Sequence, residues 1–237
     1  ELVRNGYTNI AEFQYVHHDK NGAPFAQLAA MGEALIEAAN EARIKITLIP
    51  ILYQKGGFGI EPNERQKRFI SKTFEDYARL FEASAKLCER HENANIAVGI
   101  HSLRGVDAKD ILRAANELPN DVPFHIHISE QLKEVEDCIE FLGLRPVVWL
   151  LENLDLSERF HLVHATHLTV NETENLAKSN ANVVLCPSTE GNLGDGIFPL
   201  RNYQKHNGNW SIGTDSHIGL NPFEELRILD YGQRLTT

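Results

Sequence analysis

Pro123-Phe124-His125-Ile126-His127-Ile128-Ser129-Glu130-Gln131 decides how this chain is read, because an apolar strand-like run passes there into a polar exit and then a helical pattern. An imidazole taken out of water needs a hydrogen-bond or metal partner, so packing alone does not account for two histidines inside an apolar run. Residues two apart share one face of a strand. His125 and His127 therefore point the same way, and Glu130 falls where the strand gives way to a loop. A carboxylate at a strand exit, beside a histidine able to ligate metal, is placed to move protons over a bound substrate.

Working outward, the same strand-then-helix alternation runs along the chain. Strand patterns fall at 8–16, 45–53, 95–101, 122–128, 160–166, 182–186 and 210–214, and helical patterns at 24–42, 64–90, 107–118, 131–152, 169–179, 199–206 and 222–234. Such alternation implies an α/β fold with parallel strands under covering helices. Short apolar runs at even intervals favour a closed (β/α)8 TIM-type barrel over an open sheet. Seven units are one short of eight. The start at Glu1, with no initiating methionine, leads to the expectation of one partial barrel domain over 1–237, a segment of something longer whose first strand is missing. Gly56-Gly57-Phe58-Gly59 reads as a loop and not a phosphate cradle, since no lysine-bearing turn into a helix follows it.

Composition narrows the class further. At 42% hydrophobic and 24% charged, 237 residues suit one large soluble core, and no membrane segment is visible. A formal charge of -10 argues against a nucleic-acid surface. Cys88, Cys138 and Cys186 lack metal-knuckle spacing and leave an odd thiol, which points to the reducing cytoplasm.

In parallel barrels the strands' C-terminal ends share one rim, where catalytic groups gather. His17 and His18, Tyr53, His101 to Arg104, His127 with Glu130, His164 with His167, and Asp215 with His217 all fall at predicted strand exits. His91, His125, His161 and His206 read as hydrogen-bonded core or loop residues, and Phe13, Tyr15 and Tyr53 as core or rim aromatics. His127, His164 and Asp215 jointly offer nitrogen and oxygen donors suited to Zn2+ or a similar divalent ion. Arg104 is either a surface cation or a bidentate partner for a substrate carboxylate. Ser102 and Ser188 have no histidine and acid relay of their own, which argues against a serine hydrolase.

The chain resembles the amidohydrolase superfamily, and within it the formimidoylglutamate deiminases. The resemblance rests on Ala-Glu-Phe-Gln-Tyr-Val-His-His-Asp (11–19), His-Ser-Leu-Arg (101–104), His-Ile-Ser-Glu-Gln (127–131), Val-His-Ala-Thr-His (163–167), Leu-Cys-Pro-Ser-Thr-Glu-Gly-Asn-Leu-Gly-Asp-Gly (185–196), Thr-Asp-Ser-His (214–217) and Glu-Glu-Leu-Arg (224–227). It implies metal-dependent hydrolysis of N-formimino-L-glutamate to N-formyl-L-glutamate and ammonia. By the same resemblance His127 and Asp215 are metal ligands, and Glu130 shuttles a proton. His164 orients the attacking water or helps deprotonate it. His101, Arg104 and Tyr15 hold the glutamate part of a small-molecule substrate. The family's His-x-His metal pair at the first strand has no counterpart upstream of Tyr15, and its accessory β-domain is absent. Zinc or another divalent ion is accordingly expected in the parent protein but weakly or not at all in this chain, and a homo-oligomer is expected, the unclosed barrel leaving edges exposed unless a partner chain or a swapped element covers them. The alternatives are a related deaminase of a heterocyclic amine and a catalytically silent fragment.

Overall fold

The computed structural model describes residues 1–216 and 219–236, so His217, read above as part of the last strand exit, lies outside the described residues. The chain divides into two compact units, Glu1–His125 and Ile126–Thr237.

In the first unit a 3-10 turn at Val3–Asn5 precedes β1 (Asn9–Gln14), α1 (Ala30–Ala42), β2 (Lys45–Leu52), α2 (Phe74–Cys88), β3 (Ala94–Ile96), β4 (Val98–Ser102) and α3 (Ala108–Glu117). β5 (Phe124–Ile128) then carries the chain into the second unit. β1 lies parallel to β2, from Asn9 opposite Lys45 to Gln14 opposite Pro50, and β2 also pairs in parallel with β3 and β4. β2 is the axis of this unit's core. Its Ile46, Leu48, Ile49, Ile51 and Leu52 are all buried, which is the continuous apolar run that a parallel strand covered on both faces needs. Pro50 gives this strand no N–H, but its carbonyl accepts from the Tyr77 hydroxyl at 3.1 Å, and that hydroxyl in turn accepts from the Gly99 N–H at 3.0 Å. Glycine is required at 99 because a Cβ there would lie 2.5 Å from Ile51 Cδ1 and 2.8 Å from the Pro50 carbonyl oxygen.

The second unit continues with α4 (Leu132–Leu142), α5 (Pro146–Asn153), β6 (Phe160–His164), α6 (Val170–Lys178), β7 (Asn182–Leu185), α7 (Pro187–Leu193), α8 (Leu200–Lys205), β8 (Asn209–Ile212) and α9 (Pro222–Leu235). β6, β7 and β8 are parallel neighbours, with Leu162 opposite Val183 and Val183 opposite Trp210. Their C-terminal ends therefore point one way. The α/β class with parallel strands is as expected from the sequence.

Several boundaries differ from the sequence reading, each for a local reason. The helical pattern at 64–90 begins only at Phe74, where Thr73 and Asp76 form a reciprocal capping box. The pattern at 131–152 is two helices, because Gly143 ends α4 in the left-handed region at φ 77° and Pro146 starts α5. The pattern at 24–42 becomes helix at Ala30. α7 is a seven-residue helix that no sequence pattern announced.

Candidate active site

The chemistry-bearing residues of the second unit are set by an unusual backbone. Ser129, His164, Ala165 and Asp215 all take positive φ (49°, 71°, 50° and 48°), at a cost of order 1–3 kcal/mol for each non-glycine residue. Cross-links brace the exits of β5 and β6. Ala165 N–H donates to the Ile128 carbonyl at 2.9 Å, His167 N–H to the Ser129 carbonyl at 3.0 Å, and Glu130 N–H to Glu134 Oε2 at 2.9 Å. The exits of β5 and β6 are thereby tied together, and the side chains that leave them are aimed rather than loose.

His164 lies at the centre of the result, 1% exposed. Its Nε2 is 3.7 Å from Glu130 Oε1 and 3.8 Å from Asp215 Oδ2, and its Nδ1 is 3.3 Å from Glu190 Oε1. The His127 ring stacks on it, centroids 5.7 Å apart. Burial presses the His164 pKa down, but Glu190, Glu130 and Asp215 outweigh that and leave it raised. Cys186 completes the cluster: its Sγ, one His164 nitrogen and one Asp215 oxygen lie within 4.8 Å of one another. Burial, and after it the surrounding carboxylates, push the Cys186 thiol well up, so at neutral pH it is a thiol and a poor ligand. Among the described residues the grouping able to hold a metal ion is His164, Cys186 and Asp215, of which the imidazole nitrogen and the carboxylate oxygen are the donors that suit a divalent cation; the predicted ligand His127 is stacked on His164 but is not in that grouping.

Glu190 and Cys186 were given no role by the sequence reading. The available signal was Cys186-Pro187 at the end of a strand, with a carboxylate four residues on.

In the first unit, Tyr15 and His101 come together. Their rings meet edge to face at 6.2 Å, while His101 stacks on Tyr53 at 4.0 Å and its Nδ1 lies 2.7 Å from Ser102 Oγ. Gln66 Nε2 donates to the Tyr53 hydroxyl at 2.6 Å. Arg104, half-buried, follows two residues after β4. A cavity of about 510 Å3 in the same unit is walled by His17, His18, Lys67, Asp76 and Arg79 among others, and includes none of the seven predicted site residues.

His17 is buried, with Nε2 donating to the Ile51 carbonyl at 2.9 Å, and burial lowers its pKa to about 4. The unfolded chain takes up this proton near pH 6.5 and the folded chain only near 4, so stability is lost as pH falls through that window. Between pH 7 and 4.5 the loss assigned to His17 is about 2–3 kcal/mol. His17→Phe is expected to shrink the pH 7 to 4.5 difference by that amount in urea titrations. An unchanged difference would mean that other groups govern the acid limb.

The model of the amidohydrolase family matches residues 1–233, and the chain belongs to that family. It is 45% identical over 238 aligned positions to a formimidoylglutamate deiminase of Pseudomonas aeruginosa, covering 99% of this chain and 52% of that protein. A 5-methylthioadenosine/S-adenosylhomocysteine deaminase of Halobacterium salinarum is 27% identical over 96% of this chain and 48% of its own length. Among solved structures, an amidohydrolase from Brucella melitensis superposes with a TM-score of 0.95 at 43% identity, over 99% of this chain and 52% of that one. The chain thus spans about half the length of the relatives it matches. Among the described residues no helix is long and apolar enough to cross a membrane.

Proposed function

We propose that the chain is the catalytic part of a metal-dependent hydrolase that converts N-formimino-L-glutamate and water to N-formyl-L-glutamate and ammonia. The observation that carries this reading is the 45% identity, over 99% of the chain, to a protein described as a formimidoylglutamate deiminase. The whole of 1–237 would serve as one catalytic domain. His127 and Asp215 would hold zinc or another divalent ion, weakly in this chain, and such an ion lowers the pKa of water toward about 7.

The protein's own groups then do the rest. Asp215 takes the proton lost when water attacks the formimino carbon, and Glu130 gives one to the nitrogen that leaves as ammonia. His164 orients the water through Nε2. Tyr15 and His101 hold the glutamate part, and Arg104 takes a carboxylate in a bidentate fork. With all three cysteines buried and unpaired, the reading includes work in the reducing cytoplasm, as a homo-oligomer acting on a small molecule and not on nucleic acid.

The test is ammonia release from N-formimino-L-glutamate by zinc-supplemented protein. Arg104→Ala is expected to lower kcat/KM on this substrate by about 10–100-fold, the value of hydrogen bonds to a charged group. Full activity in that variant, or turnover of an aminopurine nucleoside instead, would move the chain to the heterocyclic deaminases.

A further inference from the structure

Glu190 is 4% exposed and fixed at three points. Its N–H donates to the Cys186 carbonyl at 2.9 Å, its carbonyl accepts from Asp195 N–H at 2.9 Å, and its Oε1 accepts from Cys186 N–H at 2.9 Å. The same Oε1 lies 3.3 Å from His164 Nδ1. A carboxylate oxygen offers only lone pairs to its neighbours, so the favourable arrangement places the imidazole proton on Nδ1. In the neutral ring Nε2 is then bare, and Nε2 is the atom near Glu130 and Asp215.

We infer that Glu190 is a positioning residue that fixes His164 as its Nδ1–H tautomer and presents a bare Nε2 lone pair to the side of the ring where Glu130 and Asp215 lie. A side chain that must receive a hydrogen bond from water, or a proton from it, needs that lone pair. Without Glu190 the ring can carry its proton on Nε2, and the same side chain becomes a donor facing two carboxylates. This would be a self-consistent arrangement with the wrong chemistry. Glu190 is anchored in the first turn of α7, which starts at Pro187, with Cys186 between it and the end of β7. That anchoring holds the oxygen still while the strained exit of β6 holds the ring.

The inference rests on the proposed function for its purpose but not for its test. Two-bond 1H–15N spectra of the histidine-labelled, metal-free chain, at a pH high enough for neutral rings, report each tautomer, and the His164 signals are assigned by their loss in His164→Asn. The wild-type ring is expected as Nδ1–H. Glu190→Gln keeps an oxygen acceptor and is expected to keep that tautomer, whereas Glu190→Leu is expected to shift it to Nε2–H or to a mixture. A wild-type ring found as Nε2–H, or a Leu variant with an unchanged ring, overturns the inference. Where Glu190→Leu does not fold, the wild-type spectrum still decides it. With zinc supplied, ammonia release is expected to fall about 10–100-fold in Glu190→Leu and to be largely kept in Glu190→Gln. A tautomer shift in protein that never releases ammonia from N-formimino-L-glutamate would sink the proposed function and leave the positioning role standing.

Discussion

Glu130→Gln is expected to cut ammonia release from N-formimino-L-glutamate by about 10²–10⁴-fold, the range that positioned proton transfer contributes. Glutamine preserves the volume and an acceptor oxygen, so it tests proton carriage more than packing. The backbone of Glu130 is fixed independently of its own carboxyl, through its N–H to Glu134 Oε2, and its Oε1 lies 3.7 Å from His164 Nε2. Substitution at 130 should therefore leave the His164 cluster assembled while removing the group proposed to hand a proton to the departing nitrogen. The loss is expected in kcat, with KM changed little, because the interaction removed belongs to the transition state. Glu134→Gln is the matched control, since an amide oxygen can still accept the Glu130 N–H, and its expected loss is small. A Glu130→Gln enzyme within about threefold of wild type would exclude Glu130 as the proton carrier.

The strands were legible in the sequence because parallel, doubly covered strands are near-continuous apolar runs: Lys45 to Leu52 and Phe124 to Ile128 announce themselves. Helix ends were less legible. The helical pattern at 64–90 takes in Arg65 to Arg68, although Thr73 and Asp76 hold the real start. Gly143 and Pro146 stand in the sequence as a stop and a start, yet the apolar period carried across them. For the candidate site, parallel pairing is what makes strand exits the places to look, since it sends the C-terminal ends of neighbouring strands such as β6, β7 and β8 the same way. Glu190 was not readable in that manner. Its partner is 26 residues away, its helix is shorter than any periodic window, and a buried glutamate has no pattern of its own. Nor does the sequence announce the left-handed backbone at Ser129 and Ala165, whose carbonyl and N–H are tied by hydrogen bonds between the exits of β5 and β6.

Arg145→Met is expected to destabilise the second unit by about 3 kcal/mol, the low end of the range for breaking a buried ion pair, since the arginine side chain retains 29% exposure. Arg145 Nε donates to Glu172 Oε2 at 2.8 Å and Nη2 to the His167 carbonyl at 2.7 Å. Glu172 is 2% exposed, and the same Oε2 accepts from Thr169 N–H at 2.8 Å to cap α6, while Oε1 has no hydrogen-bond partner among the described residues. Methionine keeps most of the volume but leaves that carboxylate buried with a single donor. A fall in Tm of about 6–12 °C corresponds to this loss. If the penalty is the uncompensated charge, Glu172→Gln in the Arg145→Met background should restore part of the stability, because an amide in that place carries no charge to desolvate. If the penalty is the lost anchor on the His167 carbonyl, the second substitution restores nothing. The backbone just beyond His164, tied through His167 N–H to Ser129, is then what Arg145 holds. A loss below about 1 kcal/mol in the single variant would place the pair among solvent-screened surface bridges and remove both explanations.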